Sequence, residues 1–90
     1  MTTSPDKLIR SVHNPQVQFV RELMKDRFAR AQHQLFVVEG IRLAEEVYAA
    51  GINPHSLLYS SQLSPRGNTL LEKFRSRGIE MFELDPQLLN

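Results

Sequence analysis

Four basic side chains lie close together in the first third of the sequence. They fall within ten residues and are Arg21, Lys25, Arg27 and Arg30. Cations at this density can contact the phosphates of a nucleic acid, which supply much of the affinity of RNA-binding proteins. The same pattern is also typical of a solvated helix face that needs no partner. The cluster is therefore a candidate RNA-binding patch, with a plain polar helix face as the alternative.

The charge of the chain is unevenly distributed, although its net value is only +1. From Met1 to Leu35, six basic residues stand against three acidic ones, a net charge of +3. From Phe36 onward, five basic residues stand against seven acidic ones, a net charge of −2. The charge that could attract a nucleic acid therefore belongs to the N-terminal part alone.

A second candidate site is the turn at Gly40. The apolar residues 35–38 predict a buried strand, and helical spacing begins at Ile41. A strand that passes through glycine into a helix offers free N–H groups and the positive end of the helix dipole to phosphate. Arg42 adds a cation beside this turn, whereas Glu39 can hold an arginine through a bidentate ion pair. A tight connection in any α/β domain is the alternative explanation.

Four aromatic side chains could stack on nucleobases, but we predict that most of them belong to the core. They are Phe19, Phe28, Phe36 and Tyr59. Residues 35–38 include Phe36 and read as a buried strand, and Phe28 falls on the apolar stripe of the preceding helix.

No active-site motif is present. The chain has no cysteine, which excludes disulfides, thiolate metal ligands and a cysteine nucleophile. Its histidines, His13, His33 and His55, lack the paired spacing of metal ligands. Phosphate-binding glycine loops, zinc-protease motifs and the serine elbow of hydrolases are also missing. We expect no catalytic residue, no metal and no cofactor site in these 90 residues.

Helices and strands alternate along the chain and must position these candidates. Asn14-Pro15 predicts a cap and first turn for a helix that runs to about residue 32. After the strand at 35–38, a second helix runs from Ile41 to a glycine cap at Gly51. The remaining elements are a strand at 56–60, a helix capped by Asn68 and ended by Gly78, and a strand at 79–84. This order predicts a three-layer α/β/α sandwich with a mainly parallel central sheet.

The two ends of the chain carry separate expectations. Residues 1–8 are polar and predict a flexible leader, followed by one domain over residues 9–90. Asp85-Pro86 repeats the helix-start signal just before Asn90, so we expect a longer protein to continue past this point. Neither a signal peptide nor a membrane-spanning run is visible, and the composition fits a cytoplasmic protein.

An ordered set of motifs extends over nearly the whole chain. The set consists of Ile9-Arg10-Ser11, Asn14-Pro15, Leu23, Arg27, Arg30, Phe36-Val37-Val38-Glu39-Gly40, Arg42-Leu43, Glu46 and Gly51. It resembles the N-terminal substrate-binding domain of SpoU-class (SPOUT, TrmH-like) RNA ribose 2′-O-methyltransferases, over residues 8–90. The resemblance implies a fold like that of small RNA-binding ribosomal proteins.

The same resemblance implies a division of labour. A domain of this kind binds a structured rRNA or tRNA, while a following knotted domain, absent from this chain, binds S-adenosylmethionine and transfers the methyl group. The chain alone is then monomeric and inactive, whereas the whole enzyme is a homodimer. An RNA-facing role carries over to the matching positions Arg27, Arg30, Glu39, Gly40 and Arg42. The loop at 31–34 departs from the family, where it is more basic and contains glycine.

The predicted RNA-binding set combines both candidate segments. It comprises Arg21, Lys25, Arg27, Arg30, Glu39, Gly40 and Arg42. Two other functions remain open at this stage. One is a stand-alone RNA-binding module of the ribosomal-protein type, and the other is a protein-interaction domain.

Overall fold

The computed structural model describes residues 6–89, which form three strands and four α-helices. In chain order the elements are β1 (Lys7–Ile9), α1 (Pro15–Lys25), α2 (Arg27–His33), α3 (Ile41–Ala49), β2 (Leu57–Ser60), α4 (Pro65–Arg75), β3 (Met81–Leu84) and a 3₁₀ turn (Pro86–Leu89). The α/β class predicted from the sequence is confirmed.

The last strand in the sequence is the central strand of the sheet. The order is β1-β3-β2, and both pairs are parallel, as predicted. Residues of β3 are buried at three of four positions, whereas β1 buries only Ile9 and β2 is half-buried throughout. The strand with the most apolar burial therefore takes the position that is covered on both faces.

Helices cover the two faces of the sheet. On one face, Val17 of α1 packs with Ile9, Phe82 and Leu84 in a buried cluster. Met81 points to the other face because side chains alternate along a strand. There Arg75 of α4 donates to Asp6 at 2.6 Å, and Phe74 of α4 meets the ring of Tyr48 of α3 edge-on. The three-layer arrangement is therefore α1, sheet, and the α3–α4 pair.

Polar caps start the helices, but not always where the sequence indicated. The Oδ1 atom of Asn14 accepts a hydrogen bond from the N–H of Gln16 at 2.8 Å, which confirms the predicted start of α1. The fourth helix begins earlier than predicted, because Ser64 rather than Asn68 provides the cap. At the C-terminal end, Asp85 accepts from the N–H of Gln87 and starts the 3₁₀ turn.

The single helix predicted over residues 15–32 is wrong, since the structure breaks it at Asp26. This residue has extended backbone angles (φ −122°, ψ 109°), and its carboxylate accepts from the N–H of Phe28 at 2.9 Å. Aspartate competes well for free N–H groups at a helix start, so it can end one helix and cap the next. The break creates a corner between α1 and α2, hereafter the α1–α2 corner.

The strand predicted at residues 35–38 is also wrong. Residues 35–39 have no regular secondary structure, and the N–H of Leu35 bonds back to the carbonyl of Arg30 at the end of α2. A strand requires a partner edge, and this segment instead lies along the α1–α2 corner, where it shares a groove with Leu23 and Met24.

The strand β1 comes from a segment whose first residues were predicted as part of a flexible leader. Lys7 and Leu8 lie in β1, where they pair with Phe82 and Glu83. The N–H of Asp85 donates to the carbonyl of Ile9 at 2.9 Å and extends the pairing. The leader prediction is therefore wrong for these two residues, while its residues 1–5 lie outside the described part of the chain.

Candidate nucleic-acid interface

Exposed cations gather at the α1–α2 corner. Arg21 and Lys25 are four residues apart on α1 and share a face of that helix, and Arg27 opens α2. All three side chains belong to exposed residues. Within residues 6–89, none of them forms an ion pair with a carboxylate. Their charges are therefore available to an external anion.

Cations of the C-terminal half are mostly used within the protein. Arg66 pairs with Glu45, and Arg75 pairs with both Asp6 and Glu72. The guanidinium of Arg77 lies 3.7 Å from the centre of the Tyr48 ring and donates to the Tyr48 carbonyl. The uneven charge of the sequence is thus reinforced by the fold, since internal partners occupy these cations.

Arg30 has a different role from its neighbours. Its side chain is half-buried, and Nη1 donates to the carbonyls of Leu23 at 2.6 Å and Met24 at 3.2 Å. These carbonyls belong to the last turn of α1, where helix acceptors lack partners within the helix. Arg30 therefore holds the α1–α2 corner together, and its other guanidinium nitrogens have no hydrogen-bond partner among the described residues.

The turn before α3 adopts a backbone conformation that requires glycine. Gly40 is the N-cap of α3 with φ 94° and ψ 152°, a region that residues other than glycine avoid. An added Cβ would meet no atom within 4 Å, so conformation rather than crowding requires the glycine. No side chain accepts a hydrogen bond from the first turn of α3 among the described residues. Its first N–H groups therefore have no side-chain partner among the described residues, and Arg42 in the same turn is exposed.

Glu39 does not pair with an arginine in the part of the chain that the structure describes. The bidentate pair that the sequence left open for Glu39 is therefore not formed among the described residues. Glu39 is an exposed residue and lines a shallow groove of about 280 Å³. The other lining residues are Leu23, Met24, Arg30, Phe36 and Val37. The fold thus brings Arg30 and Glu39, which the sequence placed in separate segments, to one groove.

Two aromatic rings predicted as core are exposed. Phe28 is 80% exposed and Phe36 is 73% exposed, so the core prediction is wrong for both. Phe19 and Tyr59 are half-buried. Met24, which falls on the apolar stripe of the helix predicted over residues 15–32, is also exposed and lines the groove.

Other kinds of site find no support in residues 6–89. No three side chains among His, Cys, Asp and Glu come close enough together to hold a metal ion in this range. None of the described helices combines the length and apolar character needed to cross a membrane.

The fold and the corner together define a small parallel α/β domain that presents exposed cations beside an open groove. A family model for the MRM3-like substrate-binding domain matches residues 14–90, and the chain therefore belongs to that family. This confirms the resemblance to the N-terminal substrate-binding domain of SpoU-class methyltransferases. Comparisons with curated proteins and with solved structures found no match.

Proposed function

We propose that this domain binds structured RNA, either rRNA or tRNA, as the substrate-recognition part of a ribose 2′-O-methyltransferase. The observation that carries the proposal is the group of exposed cations at the α1–α2 corner of a substrate-binding domain, which form no ion pair within residues 6–89. Phosphate contacts position an RNA on a protein without reading its sequence, which suits a domain that delivers a substrate.

The predicted site residues divide into two roles in this proposal. Arg21, Lys25 and Arg27 contact phosphates directly, because they are exposed and no described carboxylate pairs with them. Arg42 and the N–H groups that follow Gly40 offer a second phosphate contact at the start of α3. Arg30 acts mainly as a positioning residue, since its guanidinium is bonded to the end of α1.

Methyl transfer belongs to a separate knotted catalytic domain that binds S-adenosylmethionine. We assign no residue of this chain to that cofactor. The domain alone is inactive and monomeric, and the whole enzyme is a cytoplasmic homodimer. The lack of cysteine suits a reducing compartment.

A matched pair of lysine variants tests the proposal. Lys25 and Lys73 each lie in the last turn of an 11-residue helix, and both are exposed, but only Lys25 lies at the corner. We expect Lys25→Gln to weaken the binding of a fluorescent structured RNA several-fold at low salt, while Lys73→Gln leaves the Kd unchanged. If both variants weakened RNA binding equally, the RNA would be held by overall charge and not at the α1–α2 corner. No binding by the wild-type chain would refute the proposal.

A further inference from the structure

An exposed aromatic residue, Phe36, lines the groove at the α1–α2 corner. Phe36 is 73% exposed, and Met24 beside it in the groove lining is 50% exposed. Leaving these apolar surfaces in water costs free energy that burial would recover. Their placement among unpaired cations suggests a ligand that combines a flat apolar face with negative charge.

Glu39 in the groove lining indicates which part of such a ligand binds in the groove. Glu39 lines the groove, and its negative charge would repel a phosphate group. The nucleobases of RNA are uncharged, and all except uracil carry an amino group that can donate a hydrogen bond to a carboxylate. The groove therefore suits a base, and the phosphates on either side of that base suit the cations outside it.

Polar atoms in the groove can also contact the edge of a base. Arg30 uses Nη1 to hold α1, which leaves Nε and Nη2 as donors without a partner among residues 6–89. Glu39 provides two acceptor oxygens from the next segment of the chain. Two residues with such donors and acceptors thus line the same groove as Phe36.

We propose that this groove binds one unpaired nucleobase of the RNA, stacked on Phe36 and contacted at its edge by Arg30 and Glu39. The inference rests on the proposed RNA-binding function and narrows it to RNA with an accessible unpaired base, such as a loop or bulge. Unpaired bases stack on aromatic side chains, whereas bases in a continuous duplex are stacked on each other. Arg21, Lys25 and Arg27 bind phosphates near that base.

Two RNAs with equal numbers of phosphates separate stacking from charge attraction. One is a hairpin with an unpaired loop, and the other is a blunt duplex. We expect Phe36→Ala in the 90-residue chain to weaken hairpin binding about tenfold and to leave duplex binding unchanged, because only the hairpin offers a free base. Phe36→Trp should retain hairpin binding. Ile52→Ala, at a residue that is 56% exposed and outside the groove lining, is the matched control.

The identity of the base tests the role of Glu39. Cytosine and uracil have the same shape, but cytosine presents an amino group where uracil presents a carbonyl oxygen. We expect a hairpin with unpaired cytosine to bind several-fold more tightly than one with unpaired uracil, and Glu39→Gln to reduce that preference. An unchanged preference in Glu39→Gln would overturn this part of the proposal.

The outcomes distinguish this inference from the function on which it rests. If Phe36→Ala binds both RNAs like wild type while Lys25→Gln weakens both, stacking is refuted and RNA binding stands. If the wild-type chain binds neither RNA, both fail. If Phe36→Ala instead alters self-association in sedimentation and leaves RNA binding unchanged, the groove is a protein contact and the inference is overturned. Because Phe36 is largely exposed, its replacement should leave the melting temperature within a few degrees of wild type.

Discussion

Arg30 donates from Nη1 to the carbonyl oxygen of Leu23, 2.6 Å away, and so joins α2 to the last turn of α1. The two residues are seven positions apart, on either side of the helix break at Asp26. A positive charge at the C-terminal end of α1 also complements the helix dipole. An arginine expected to contact RNA therefore stabilises the corner that carries the other cations.

Removing this contact should destabilise the fold. We expect Arg30→Ala to lower the free energy of unfolding by about 1.5–3 kcal/mol, because a hydrogen bond from a charged donor is lost and two carbonyls lose their partner. Urea unfolding followed by circular dichroism measures the change. Arg27→Ala serves as control, because Arg27 is exposed and should change stability by less than about 0.5 kcal/mol. Equal losses in both variants would contradict the assignment.

A part-buried hydrogen bond should anchor β1 to the sheet. The hydroxyl of Tyr59 on β2 donates to Asp6 at 2.5 Å, and Arg75 donates to the same carboxylate oxygen at 2.6 Å. We expect Tyr59→Phe to cost about 1–3 kcal/mol of stability. Tyr48→Phe is the matched control, because the Tyr48 hydroxyl has no hydrogen bond among residues 6–89. A similar loss in both tyrosine variants would show that the bond to Asp6 contributes little.

The same network predicts how stability depends on pH. Burial alone would raise the pKa of Asp6, but hydrogen bonds from Arg75 and Tyr59 outweigh it and hold that pKa below 3.8. The folded state thus keeps Asp6 ionised where the unfolded chain binds a proton. The contribution of ionised Asp6 to the free energy of unfolding is present above pH 3.8 and is lost as the pH falls through the pKa of the folded state. We expect Asp6→Asn to be less stable than wild type at pH 7, with a smaller difference in acid.

Alkaline titration gives a second measurement of this network. Burial, together with the hydrogen bond to Asp6, raises the pKa of Tyr59 from 10.0 to about 12. Between these pH values the unfolded chain loses its tyrosine proton first, so stability should fall as the pH rises through this window. Tyrosinate absorbance in a Tyr48→Phe background isolates Tyr59. A midpoint near 10 would contradict the hydrogen-bonded position.

The backbone at Gly40 makes this glycine necessary. Its φ of 94° and ψ of 152° are nearly exclusive to glycine, so Gly40→Ala should cost about 1–3 kcal/mol. Gly51, with φ 74°, follows the end of α3 in the left-handed region that asparagine tolerates. We therefore expect Gly51→Asn to cost less than Gly40→Asn. Thermal unfolding compares the two, and the reverse order would exclude a backbone cause at Gly40.

RNA binding should depend on salt in proportion to the cations that contact phosphate. For the triple variant Arg21→Gln, Lys25→Gln, Arg27→Gln, the slope of log Kd against log salt concentration should decrease by roughly 2 to 3, since each phosphate contact contributes about 0.7–0.9. Phe36→Ala should leave this slope unchanged. An unchanged slope in the triple variant would show that the phosphate contacts lie on another surface.

The sequence alone determined the elements whose signals are local. Asn14-Pro15 specified the start of α1, and Gly40 and Gly51 bounded α3, because caps and left-handed glycines act on the nearest turn of backbone. Alternation of helices and strands was enough to indicate a parallel α/β fold. The N-terminal excess of positive charge was also visible, since it requires only counting.

Tertiary structure decided which segments became strands and which charged groups stayed free. The lengths of β1 and of the run at 35–38 are similar, but β1 could pair with β3 and the other segment packed along the helices. A strand exists only through its partner, and partners are remote in sequence. Arg30 and Arg75 likewise differ from Arg21 only in what the fold places beside them. The groove at Phe36 has the same cause, because residues 35–38, predicted as a strand, do not pair with the sheet.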